Sequence, residues 1–244
     1  MNVFEAKNLN KKYGKNYALD GLDLNVSEGD IYALVGQNGA GKTTFMKIAT
    51  GLAKSTSGEF SVFGCDFSTE IPLGLGQKIG VLIEEPGLLM NMSGYDNLRT
   101  KCILMKRDKS DYINDLLKLV SLERDKDKKV KRYSLGMKQR LSIAMALVDE
   151  PKLLILDEPI NGLDPQGILL VRRLIADLNS KEGMTFIISS HILSELSIIA
   201  TRYGFIKDGK MLREISAEDL EILCKEKGQT LEEHYFEQMG TELH

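Results

Sequence analysis

The chain is poor in cysteine and has no long apolar run. Its 244 residues include three cysteines, Cys65, Cys102 and Cys224, far apart and odd in number. No C-x-x-C spacing exists, so neither a zinc site nor a disulfide framework is expected, and a reducing compartment fits. No apolar stretch approaches the roughly 18–20 residues that a membrane span needs. Met1-Asn2-Val3-Phe4-Glu5 has no basic segment followed by an apolar one, so it does not read as a signal peptide. The net charge of −3 gives no reason to expect a nucleic-acid partner. If such a protein acts at a membrane, it must bind another chain that spans it.

What is present is ordinary in bulk and specific in detail. Hydrophobic residues make up 43% and charged residues 27%, enough for one large domain or two small ones with a sizeable core. The specific stretch is Gly36-Gln37-Asn38-Gly39-Ala40-Gly41-Lys42-Thr43-Thr44, which fits the phosphate-binding pattern G-x-x-x-x-G-K-[ST]. Its glycines let the backbone curl and turn several N–H groups toward one point. A following helix aims its positive end at the same point. Lys42 can reach the β- and γ-phosphates of a nucleotide, and the Thr43 hydroxyl can ligate Mg²⁺. Residues 31–35 read as a buried strand before the loop, and residues 44–53 as a helix after it.

The flanking chain is legible in the same way. Residues 3–9 suit a first strand, and 11–21 a polar loop carrying Tyr13 and Tyr17. Leu22, Leu24 and Val26 alternate with polar residues, the period of a half-buried strand. Strands are also expected at 59–63 and 78–83, the latter stopped by Glu84-Glu85-Pro86-Gly87. From 88 to about 150 helix signals replace strand signals. Ile113, Leu116, Leu117 and Val120 mark an amphipathic helix with Asp108 or Ser110 as its cap. The charged run 122–129 reads as a solvated turn. A second helix starts at Ser134 and stops before Pro151. Residues 153–157 and 185–189 are short apolar runs, as parallel strands buried on both faces are. Asp164-Pro165 caps a further helix, and Asp208-Gly209 marks a hairpin turn. The fold class expected is α/β, a mostly parallel sheet with helices on it, a small antiparallel β layer and an inserted helical block. The acidic stretch from 216 onward reads as a helical appendage, with 231–239 as a short helix.

Two carboxylates follow the apolar run at 153–157. Asp157 at the strand's end suits Mg²⁺ beside a phosphate loop, and Glu158 can face an attacking water as a base or polariser. Ser134-Leu135-Gly136-Met137-Lys138-Gln139-Arg140 opens a helix with a serine and a glycine, a second anion site. His191 follows the strand at 185–189, and Asn161-Gly162-Leu163-Asp164 follows Glu158-Pro159.

With the phosphate loop, these ordered sites resemble the ATP-binding cassette (ABC) family over about residues 1–215. Residues 133–140 resemble its signature LSGGQxQR, His191 its switch histidine and 161–164 its D-loop. The resemblance implies a P-loop NTPase with a RecA-like core, an antiparallel β subdomain and an α-helical subdomain inserted at about 88–150, with 216–244 as a C-terminal appendage. It implies ATP and Mg²⁺ as ligands, with ATP held by Tyr13, Gly36, Asn38, Gly39, Ala40, Gly41, Lys42, Thr43 and Thr44. Ser134 and Gly136 would complete the partner protomer's site in a head-to-tail dimer of like or unlike chains. Tyr13 matches the aromatic that stacks on adenine, with Tyr17 as its neighbouring competitor. Glu158, His191, Glu84 and Lys42 are the implied catalytic set, and Thr43, Glu84 and Asp157 the implied metal set. The partners implied are a second nucleotide-binding subunit and integral membrane permease subunits, at the cytoplasmic face of the membrane.

Two features depart from the general pattern. Glu84 stands where the family has the glutamine of its Q-loop, and Leu135 and Met137 alter the signature. Ile83-Glu84-Glu85-Pro86-Gly87 together with residues 133–140 resembles the subunits of bacterial transporters that protect against peptide antibiotics, of lantibiotic-immunity and bacitracin-resistance type. The rival readings are another exporter, of multidrug or Na⁺ type, or a non-transport ABC ATPase. A translation-associated member would carry two cassettes, a chromosome-type member long coiled-coil arms. A small-molecule kinase would lack the Ser134 signature and His191 together.

Overall fold

The computed structural model describes residues 1–66, 78–84 and 87–240. The expected break at Glu85-Pro86 and the last residues of the C-terminal stretch, 241–244, lie outside them. In chain order the strands are β1 (Asn2–Tyr13), β2 (Asn16–Ser27), β3 (Ile31–Val35), β4 (Ser57–Val62), β5 (Cys65–Asp66), β6 (Ile79–Leu82), β7 (Leu153–Asp157), β8 (Thr185–Ser190), β9 (Arg202–Lys207) and β10 (Lys210–Ser216). The helices are α1 (Lys42–Ala49), α2 (Gly94–Leu104), α3 (Ser110–Leu119), α4 (Leu135–Ala146), α5 (Pro165–Glu182), α6 (Leu193–Leu196), α7 (Ala217–Lys227) and α8 (Leu231–Met239). A single 3-10 turn at Val130–Arg132 precedes α4.

Two sheets form among these residues. The antiparallel one has the order β2-β1-β4-β5. The other has the order β10-β9-β3-β8-β7-β6 and is parallel except for β10. Its central strands are buried along their length because both faces are covered. Successive side chains of a strand point to opposite faces, and here that alternation sorts the core into two halves. Ile31, Ala33, Val35, Leu154, Leu156, Phe186 and Ile188 pack with the helical insertion and α5. Tyr32, Leu34, Leu153, Ile155 and Ile187 pack with α1 and the antiparallel sheet.

The helical insertion is the crossover between two neighbouring parallel strands, β6 and β7. Asn97 on α2, buried, ties down the chain leading into it. Its Oδ1 accepts from Leu89 N at 2.8 Å, and its Nδ2 donates to Ser93 O at 2.8 Å and Leu89 O at 3.1 Å. Tyr112 of α3 donates to Val148 O at 2.7 Å, and burial pushes its phenol up to about 12.

Several local expectations need correction. The polar stretch 11–21 is not a loop, because β1 and β2 pair across it as far as Tyr13 and Asn16, leaving a two-residue turn. Helix α1 stops at Ala49, where Thr50 turns its hydroxyl onto Met46 O and Gly51 takes a left-handed φ of 75°. Neither Asp108 nor Ser110 caps α3: Lys109 occupies the cap position with no side-chain bond, and Asp108 is paired with Arg99. Ser134 and Asp164 do cap their helices, accepting from Met137 N and Gly167 N. Helices α7 and α8 pack onto the main core through Leu220, Cys224 and Tyr235.

Candidate functional site

Residues 36–44 leave the C-terminal end of β3 as a tight loop. Gly36 has no room for a side chain, since a Cβ would run into the carbonyl and side chain of Ile206 on β9. Gly41 takes φ 109°, and a Cβ there would lie 2.5 Å from Ala18 O. The loop is braced from outside by the Asp208-Gly209 turn. Gly209 N donates to Ala40 O at 2.9 Å, and Gly209 O accepts from Asp20 N at 3.0 Å. Helix α1 begins with no side-chain cap. The N–H groups of Lys42, Thr43 and Thr44 find no acceptor among the described residues. Such a helix start, with its dipole behind it, is a fitting cradle for phosphate oxygens.

Lys42 is buried and lies across this loop. Its ammonium donates to Gly36 O at 2.7 Å and Gln37 O at 3.2 Å, and lies 3.4 Å from Glu158 Oε1. Thr43 Oγ1 donates to Asp157 Oδ2 at 2.8 Å. Asp157 Oδ1 accepts from Ser189 Oγ at 2.5 Å. Glu158 takes a left-handed φ of 49°, a conformation uncommon outside glycine and frequent at functional sites. Its second carboxylate oxygen lies 2.7 Å from His191 Nδ1. The structure thus brings Lys42, Thr43, Asp157, Glu158 and His191 together at the ends of β3, β7 and β8. Ser189, which joins the same network, carries no motif and is visible only in the three-dimensional pairing.

The remaining predicted residues fall in two places. Tyr13 is 53% exposed at the tip of β1, with Lys11 Nζ 4.8 Å from its ring centre. Glu84 takes φ 59° and is paired at 2.5 Å with Lys47 of α1, one turn beyond Thr43. That hydrogen bond raises the Lys47 pKa, with smaller contributions from Tyr13 and Asp157. The Glu84 carboxylate makes no hydrogen bond to Thr43 or Asp157. Ser134 and Gly136 lie elsewhere, at the N-terminus of α4. Gly136 faces Leu163 and Gly167, and Leu135 lies against Gly162. These two share no hydrogen bond with residues 36–44 among the described residues.

The donors at Thr43 and Asp157 suit Mg²⁺, a hard cation that takes one or two protein oxygens and leaves its other positions to water and phosphate. No group of three or more His, Cys, Asp or Glu side chains placed to hold a metal exists among the described residues. No helix among those residues is long and apolar enough to cross a membrane.

A model of the ABC transporter family matches residues 19–161. The chain belongs to the ABC transporter family. Among relatives of this ABC protein, the lantibiotic transport ATP-binding protein SrtF of Streptococcus pyogenes is 47% identical over 212 residues, covering 87% of this chain and 90% of that one. The bacitracin transport ATP-binding protein BcrA of Bacillus licheniformis is 43% identical over 218 residues, covering 89% and 71%. An ATP-binding subunit of an ABC transporter superposes with a TM-score of 0.82 at 27% identity, covering 97% of this chain and 99% of that one. The dimeric, post-hydrolysis form of the cassette MJ0796, bound to ADP and phosphate, gives 0.79 at 26% identity, covering 88% and 98%. The P-loop NTPase fold with antiparallel and helical subdomains is therefore that of the family's cassettes.

Proposed function

We propose that this chain is the Mg²⁺-dependent ATPase subunit of an exporter that carries a peptide antibiotic, of lantibiotic or bacitracin type, through separate membrane permease subunits. The observation that carries the reading is the shared carboxylate of Glu158, held between Lys42 and His191 behind a phosphate loop, in a chain whose relatives are lantibiotic and bacitracin transport ATP-binding proteins. Residues 1–215 act as the ATPase domain, with 88–150 as its helical insertion and 216–244 as an appendage. The protein works on the cytoplasmic face of the membrane, held there by the permease.

Each site residue has a task in this reading. The N–H groups at the start of α1, the glycines 36, 39 and 41, and Asn38, Ala40 and Thr44 surround the phosphates, while Tyr13 stacks on the adenine. Lys42 leaves its loop carbonyls to pair with the β- and γ-phosphates. Thr43 and Asp157 hold Mg²⁺, which when bound offsets charge on the phosphoryl oxygens. Glu158 orients the attacking water and draws its proton, with His191 fixing the carboxylate from the other side. Glu84 contributes a carboxylate to the metal or its water once the Lys47 pair opens. Ser134 and Gly136 face the nucleotide of a second subunit, identical or not, which gives the α4 anion site a ligand that its own chain does not supply.

The test is purification with the membrane proteins encoded beside it, followed by ATPase assay and by exposure of cells to peptide antibiotics. Mg²⁺-dependent hydrolysis, co-purification with a permease, and loss of protection on deletion of this subunit are expected. Hydrolysis with no membrane partner and no change in antibiotic sensitivity would overturn the exporter reading.

A further inference from the structure

Ser189 is the next-to-last residue of β8 and is completely buried. In the parallel ladders it stands opposite Asp157 on one side and Leu34 on the other. Its hydroxyl makes two bonds. It donates to Asp157 Oδ1 at 2.5 Å and accepts from the Glu158 N–H at 2.9 Å. A hydroxyl has one proton to give, so the donation to Asp157 sets its rotation and turns its lone pairs toward the Glu158 amide. One side chain therefore touches both strand-end acids.

These contacts have a geometric consequence. Asp157 has two carboxylate oxygens, and Ser189 occupies one while Thr43 takes the other. With Ser189 in place, the oxygen on the Thr43 side is the one left to face a metal. Glu158 holds its left-handed backbone at the very N–H that Ser189 receives. That backbone turn aims the carboxylate between Lys42 and His191.

We propose that Ser189 is a positioning residue for ATP hydrolysis, fixing which Asp157 oxygen faces the metal and where the Glu158 carboxylate points. The proposal rests on the roles given above to Asp157 and Glu158. Outer hydrogen-bond partners of metal-holding groups change metal affinity or activity by about 10–100-fold when removed. An alanine keeps the Cβ and takes away the hydroxyl with both of its bonds.

The experiment compares S189A with wild type in the full chain. Binding of a fluorescent ATP analogue is measured in EDTA and with Mg²⁺, and kcat and KM are measured separately. Metal-free binding is expected to stay within about twofold, since the Ser189 hydroxyl bonds to Asp157 and Glu158 and makes no hydrogen bond to residues 36–44 among the described residues, while the tightening produced by Mg²⁺ and kcat each fall about 10–100-fold. A wild-type Mg²⁺ response and kcat would overturn the proposal. So would a loss of metal-free binding as large as the loss of kcat, because it would mark a general defect of the fold. D157N and E158Q separate the two levels of the reading. If both hydrolyse like wild type, the assignment of the acids falls and Ser189 falls with it. If both are inactive and S189A is normal, only the role of Ser189 falls.

Discussion

His191 Nδ1 lies 2.7 Å from one carboxylate oxygen of Glu158, and Lys42 Nζ lies 3.4 Å from the other. One acid, at the end of β7, is thus held from both sides by residues that follow two other strands, β3 and β8. Groups in one network do not act independently, so their losses should not add. E158Q is expected to lower kcat by about 10²–10⁴-fold while leaving ATP binding intact, because it removes a general base and no phosphate contact. H191A should also lower kcat, and the double variant should be little worse than E158Q alone. Single-turnover hydrolysis of the three variants checks this. Multiplying defects would show that His191 acts on something other than Glu158.

Tyr13 and Tyr17 are about equally exposed, and each has a lysine over its ring. Tyr13 is near enough to Lys47, on the phosphate-loop helix, to help raise its pKa. Y13A should weaken ATP binding by about 1–3 kcal/mol, the range for a lost base–aromatic stack. Y13F should bind like wild type, since stacking needs the ring and not the hydroxyl. Y17A should change little. Equilibrium binding of ATP to the three variants decides the assignment, and equal losses in Y13A and Y17A would count against it.

Glu84 and Lys47 form a pair that competes with the role proposed for Glu84. If that carboxylate must leave Lys47 to serve the metal, removing the lysine should help and removing the acid should harm. K47M is expected to lower the Mg²⁺ concentration needed for half-maximal hydrolysis, and E84Q to raise it. The pair is at the surface, so neither change should shift the melting temperature appreciably. A Mg²⁺ titration of activity reads the sign directly. Identical curves for wild type and E84Q would remove Glu84 from the metal site.

Gly209 shows how a turn residue becomes part of a binding site. It takes φ 77°, and a Cβ would lie 2.8 Å from Ala18 O and 2.9 Å from Leu19 Cα, both backbone atoms. G209A should destabilise the chain by about 1–3 kcal/mol, as overpacking does, and weaken ATP binding, because the same residue holds Ala40. G14A is the control. Gly14 also has a positive φ, 60°, but nothing lies within 4 Å of its Cβ position. Its cost should be about 1–2 kcal/mol, with ATP binding unchanged. Thermal melts and nucleotide titrations on both variants test the difference.

The parts of the fold legible in the sequence were those with strong local signals. The all-apolar runs at β3, β7 and β8 are buried on both faces, and the Asp208-Gly209 dipeptide is a hairpin turn as its type demands. Helix α2 was not individually legible, since Gly94, Asn97, Leu98 and Cys102 are its buried residues and only some of them are apolar. The polar ends of β1 and β2 read as loop because their stability comes from pairing with each other and not from apolar alternation. In the site, Lys42, Thr43, Asp157, Glu158 and His191 were legible because each sits in a motif. Ser189 was not, because a serine at a strand end has no signature until the neighbouring strand brings two acids to it. The Lys47 pairing of Glu84 was hidden for the same reason.

The C-terminal helices bury a titratable group. His234 is 1% exposed, and neither ring nitrogen has a hydrogen-bond partner among the described residues, the nearest acid being Glu237 at 3.8 Å. Burial, with Lys227 and Arg213 nearby, pushes its pKa below the ordinary 6.5. The sign follows from linkage. Below about pH 6.5 the unfolded chain takes up a proton that the folded chain resists, so this group lowers stability as pH falls through that window and contributes nothing above it. The slope from one such group cannot exceed about 1.4 kcal/mol per pH unit. The consequence reaches the site, because α8 packs against α6, which follows His191, and Tyr235 stacks at a tilt on Phe205 beside the phosphate-loop strand. Wild type should therefore lose more stability between about pH 7.5 and 5.5 than H234L, which keeps the volume and cannot titrate. Thermal unfolding across that range, with hydrogen exchange followed in α8, measures it. An equal slope in H234L would show that His234 does not set the acid sensitivity of the C-terminal helices.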